Sequence, residues 1–396
     1  MTINEYIEIS RRYKRDFDCI PGTNTSLKEY GKIFCKELFN IDLQIEVIDS
    51  TSSRNETVSI DGQNYIIWDT SYWKGYNKFL CILFEMDIAG ADVKNAQELL
   101  MGLFGDFIIN KHKYINSDFA LFFLRNVMAM RFYETSYALD NTFVQDVLRV
   151  CKFYVLTHEA FHLVLEKNEI SNFRKTKEWI CSKLKDYIKT DVLKMRRNDY
   201  GNIFKENPDM LVTDLLGGKY ENLFNEIVID LQALYEILGI IRLQSKLDAN
   251  GLVQLAPHIL RYILTLSRYD MALSGFSQIA HNASMLLKGV YSISNVNEKQ
   301  SLFNKECFLR DDLFEVTATK MFLDYCFVVK SSFTTETIME MFTADDIHPQ
   351  NKSYHEYVRT FFNNNGKRII LSALSQTNKI SKNVNSKLDI INYLTS

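Results

Sequence analysis

The sequence predicts a mainly α-helical protein of the α+β class, with one small antiparallel β-sheet near residues 43–68. Three observations carry that expectation. Four prolines and fifteen glycines in 396 residues are too few for a loop-rich or all-β chain. Apolar residues recur at spacings of three and four over most of the length, the period of a helix with one buried face. Alternation is concentrated in one stretch, where Leu43, Ile45 and Val47 fall on one side and Gln44 and Glu46 on the other.

Taken in order, residues 1–40 read as two helices interrupted at Pro21 and Gly22, the second (27–39) opened by the capping residues Asn24, Thr25 and Ser26. Strands follow at 43–49, 57–60 and 64–68, with Asp61 and Gly62 turning the last two into a hairpin. Helical spacing returns at 73–86, 96–110 and 117–133, where Phe119, Phe122, Phe123 and Phe132 form a core stripe. A long helix at 141–167 carries Val144, Val147, Leu148, Cys151, Tyr154 and Val155 on one face. The basic helix at 173–197 reads as a solvated face. Asn207 and Pro208 break it, and Gly217 and Gly218 precede a helix at 219–241.

Downstream, 257–267 and 270–291 read as apolar helices. Residues 292–396 read as a C-terminal helical region, either a second unit or a helical cap, with a buried helix at 313–330, a loop at 361–366, and Tyr354, His355 and Glu356 on the surface. The expected division is therefore 1–291 and 292–396. A hydrophobic share of 46% allows a large core. The formal charge of −3 gives no general reason to expect nucleic acid or an anionic membrane as a partner.

The chemistry concentrates on the helix at 141–167, where His158 and His162 stand four residues apart with Glu159 beside the first. On a helix the two imidazoles share a face and can hold one Zn²⁺, while Glu159 leans toward the open metal position as a general base. Catalytic zinc takes a third protein ligand, and Glu226 comes sixty-four residues after His162 in a helical pattern of Leu223, Ile227, Leu231, Leu234 and Leu238. Glu226, Asp230 and Ala233 share a face there. Glu226 is the expected ligand, Asp230 the acceptor for the spare N–H of a metal-bound imidazole, and Ala233 is small enough to admit a neighbouring helix.

The pairing of H-E-x-x-H, His158 to His162, with E-x-x-x-D-x-x-A, Glu226 to Ala233, resembles the gluzincin metallopeptidases. In its spacing it is similar to the HtpX-like and CAAX-prenyl-type endopeptidases and their soluble relatives. The resemblance implies a zincin-like core over 1–291, one zinc per chain, and hydrolysis of peptide bonds in a protein or peptide substrate. It also implies an edge strand for the substrate, a role open to 65–68 beside that of a hairpin that only packs, and a donor for the oxyanion, for which His281 is the first candidate and His258 and Arg261 the next. A reading from another class keeps the metal but not the turnover: a zinc-stabilised regulatory or interaction protein.

The N-terminal residues lack an apolar signal region and no apolar run reaches eighteen residues, so a cytoplasmic protein without membrane insertion is expected. The seven cysteines, scattered and without C-x-x-C spacing, read as reduced core residues.

Overall fold

The computed structural model describes residues 1–9, 13–14, 27–49, 55–89, 142–167, 182, 221–244, 247–287 and 290–343. The helices expected at 96–110, 117–133 and 173–197, the breaks at 207–208 and 217–218, and the 354–366 segment lie outside the described residues. Among those described, the elements are α1 (Ile3–Ile9), β1 (Tyr13–Lys14), α2 (Leu27–Phe39), β2 (Leu43–Asp49), β3 (Glu56–Ile60), β4 (Gln63–Asp69) and α3 (Thr70–Ala89). Four long helices and a short one follow: α4 (Thr142–Lys167), α5 (Glu221–Gln244), α6 (Ala249–Leu287), α7 (Ile293–Val328) and α8 (Thr335–Thr343). The fold is mainly α with a small sheet.

The sheet order is β1-β2-β4-β3. β3 and β4 form the expected antiparallel hairpin, with Asp61 at φ 50° and Gly62 at φ 79°. Positive φ at both turn residues matches the twist of the flanking strands. The sheet is not antiparallel throughout, however, because β2 runs parallel to β4, Leu43 beside Asn64 through Ile48 beside Asp69. Alternation alone does not distinguish the two directions; the connection through β3 does. It also places β4 between two neighbours, so among the described residues the edge strands are β1 and β3 rather than the 65–68 strand.

Alternation sorts the strands onto two faces. Ile45, Val47, Ile66 and Trp68 turn into the main core, whereas Ile48 and Ile67 meet Ile7 of α1 on the other side. α2 packs on β2 and ends where Asn40 takes φ 53°, its N–H returning to the Lys36 carbonyl at 3.1 Å. A left-handed residue of this kind closes a helix by satisfying its last carbonyls. α4 lies against β3 and β4, α5 and α6 pack on α4, and α7 packs on both α5 and α6.

One sequence expectation changes here. α6 is one helix with Pro257 inside it, not two, and burial of Val253, Ala256, Ile259, Leu260 and Ile263 holds it against the break that proline favours. Ser292 caps α7 through a reciprocal pair with Asn295, and Val296, Leu309, Leu313 and Phe314 join the core of α4–α6. Arg268 of α6, 1% exposed, crosses to Glu315 of α7 at 2.8 Å and fastens the two helices. Cys35, Cys151 and Cys326 are buried, free and pushed up to about 12 by burial, as inert core thiols are. Among the described residues no helix is long and apolar enough to cross a membrane.

α3 approaches α6 closely at Gly75, where an added Cβ would strike the Tyr269 hydroxyl. Tyr269 cannot retreat, since it is buried among Tyr72, Tyr76 and Phe79. Gly75→Ala gains about 0.5–1 kcal/mol of helix propensity but costs about 1–3 kcal/mol in overpacking. Urea unfolding is expected to show a net loss of stability at unchanged slope.

Candidate metal centre

α4 and α5 bring the expected ligands together. The Nε2 atoms of His158 and His162 lie 3.2 Å apart, as the four-residue helical spacing requires. From α5, the Glu226 carboxylate approaches both, Oε2 at 3.7 Å from His158 Nε2 and Oε1 at 3.6 Å from His162 Nε2. One donor atom from each of the three falls within 4.8 Å of the others, so this group can hold a metal ion. The two imidazoles and one carboxylate fit a divalent transition metal, which takes neutral nitrogen and anionic oxygen at short range.

Asp230, one turn beyond Glu226, is 3% exposed and reaches His158 Nδ1 at 3.0 Å. The contact is close but not aligned as a linear hydrogen bond. Asp230 thus stands at the Nδ1 edge of His158 while the Nε2 edge faces Glu226. Three further groups meet these residues that sequence reasoning did not name. Tyr154, one turn before His158, donates its hydroxyl to Asp230 Oδ1 at 2.9 Å. Arg310 of α7 donates from Nε and Nη2 to Asp230 Oδ2 at 3.1 and 2.9 Å, and its Nη2 lies 3.2 Å from Glu226 Oε2. Thr57 of β3 places its hydroxyl 2.9 Å from both the Glu159 carboxylate and the Glu159 carbonyl.

Helical spacing from His158 was a usable signal for Tyr154, which had been placed in the apolar stripe. Arg310 and Thr57 come from elements distant in sequence, and nothing local marks them. His281 is exposed, four residues past Ser277, and packs on Tyr291; unlike Ser277 it does not line the cavity at the metal group. His258 and Arg261 also stand outside that lining.

The cavity measures about 460 Å³. His158, Glu159, His162 and Glu226 occupy one wall, Asn55, Glu56 and Thr57 of the β3 segment a second, and Ser267, Asp270, Ser274 and Ser277 of α6 a third. Burial disfavours charge on both histidines, but they separate. His158 is nevertheless raised to about 9, by Asp230 first and then Glu226 and Glu159. His162 is lowered, by burial and by the neighbouring His158. Asp230 is driven down to about 2 against the cost of its burial, by Arg310 and His158. Burial and the adjacent Asp230 carboxylate keep the Tyr154 hydroxyl protonated well above its ordinary range. The metal-free group therefore holds a proton on His158 where a metal would place its own charge.

Compared with known proteins, the chain matches no family model, no curated protein and no solved structure.

The His158 shift has a definite sign. Its folded value of about 9 lies above the ordinary 6.5, so its contribution to metal-free stability is full below about 6.5 and lost as pH rises through about 9. The melting temperature of chelator-treated protein is expected to fall across that window, and divalent metal to bind more tightly over it as the proton leaves. Identical pH profiles for wild type and His158→Gln would show that another group carries the effect.

Proposed function

We propose that the chain is a zinc-dependent endopeptidase of gluzincin type, acting on an intracellular protein substrate. The observation that carries the reading is the placement of Glu159: it lines the cavity beside the His158, His162 and Glu226 group without belonging to it. A metal centre that served stability alone would favour four closed protein ligands and would have no use for such a carboxylate. Two imidazole nitrogens and one carboxylate oxygen suit zinc or iron(II), and the helical H-E-x-x-H spacing with Glu159 beside the group favours zinc. Zinc held by His158, His162 and Glu226 would supply Lewis acidity, polarising a carbonyl and making water more acidic.

The chain's own residues then do the following work. Glu159, held by the Thr57 hydroxyl, takes a proton from water as the water oxygen attacks the carbonyl carbon. It returns that proton to the amide nitrogen as the C–N bond breaks, leaving one new carboxylic acid and one amine. Among the described residues β3 has a strand partner on one side only, and Asn55, Glu56 and Thr57 border the cavity. An extended peptide laid along that edge by main-chain hydrogen bonds would run past Glu159.

Native mass spectrometry is expected to find one zinc per chain, lost or strongly weakened in His158→Ala, His162→Ala and Glu226→Ala. Glu159→Gln should keep the zinc and lose turnover by at least about 10²-fold, since a positioned general base contributes about 10²–10⁴. Detection of new protein N-termini in cells, wild type against Glu159→Gln, reads that loss and names the substrate. If Glu159→Gln keeps its full cellular effect, the centre stabilises an interaction protein instead.

A further inference from the structure

Arg310 is the one permanently cationic side chain among the described residues lining the cavity, whose acids are Glu56, Glu159, Glu226, Asp230, Asp270 and Asp311. It arises on α7, far in sequence from both metal motifs. We propose that Arg310 is the positioning residue of the metal centre, holding Asp230 against His158 and Glu226 toward both histidines before any metal arrives. The proposal rests on reading His158, His162 and Glu226 as metal ligands.

Glu226 and Asp230 stand one helical turn apart on α5, where two carboxylates repel each other. Asp230 is also nearly excluded from solvent. A cation between them removes both difficulties, and Arg310 supplies it with a defined shape. Its Nε and Nη2 edge grips Asp230, and the same Nη2 reaches Glu226. A planar fork makes these contacts in fixed directions, whereas a lysine ammonium offers its charge and donors at a single freely rotating point.

Charge and position make opposite forecasts. If the guanidinium acted on the metal only as a nearby positive charge, its removal would tighten metal binding. If it positions the ligands, removal weakens binding even though a repulsive charge has gone. Losses of groups that orient metal ligands typically weaken metal binding by about 10–100-fold.

The test measures zinc affinity by competition with a chromophoric chelator for wild type, Arg310→Gln and Arg310→Lys, with circular dichroism and melting in the same buffer. Cobalt(II) absorption of each loaded protein reports the ligand geometry. Both variants are expected to bind one zinc with about 10–100-fold lower affinity and to shift the cobalt bands, Arg310→Lys failing because the charge without the fork does not position. Should Arg310→Gln not fold, Arg310→Lys, which keeps the charge, carries the comparison. Tighter or unchanged zinc binding with an unaltered cobalt spectrum overturns the proposal, as does wild-type affinity in Arg310→Lys. Failure of wild type to bind zinc removes the metal centre itself and this role with it, a result distinct from a bound metal indifferent to Arg310.

Discussion

A buried carboxylate with three partners, Asp230, is the interaction on which the centre depends. Tyr154 and Arg310 donate to it and His158 lies against it, so three helices are oriented by one side chain. A carboxylate this deep is tolerated only when paired, because stripping one member from a buried ion pair costs about 3–5 kcal/mol. Its satisfaction therefore fixes α4, α5 and α7 in register, and the His158 ring can present Nε2 in only one direction.

Rigid apolar packing on either side of that cluster supports it. Ile227, Val228, Leu231, Ala233 and Leu234 of α5 are fully buried beside Leu156 and Ala160 of α4. Helices locked this way hold side chains more accurately than loops do. The sheet has a narrower part. Its face toward the core seats α4, and its outer strand brings Thr57 to the one cavity carboxylate, Glu159, that the proposed chemistry needs free of metal.

Much of this was legible in the sequence. The helical period of Leu223 to Leu238 placed Glu226 and Asp230 on one face, and the four-residue spacing of His158 and His162 set their Nε2 atoms side by side. Asp61 and Gly62 announced the hairpin, because both must adopt positive φ. What was not legible depends on contacts between distant segments. Alternation in β2 carries no information on strand direction, so the parallel β2–β4 pairing escaped, and with it the identity of the edge strand. Arg310 sits among Cys307, Phe308, Leu309, Leu313 and Phe314, and only the packing of α7 on α5 reveals which acids it serves.

The order of these parts along the chain has its own consequence for synthesis. Thr57 emerges first, the histidines about a hundred residues later, and Arg310 long after Glu226. Contacts of such wide sequence separation form late, since loop closure must precede any gain from them. A chain growing from the ribosome would thus carry its two histidines for a long interval before the last member of the cluster joined them. The centre is assembled by the completion of the fold, and a chain not yet grown past α7 holds ligands without a finished site.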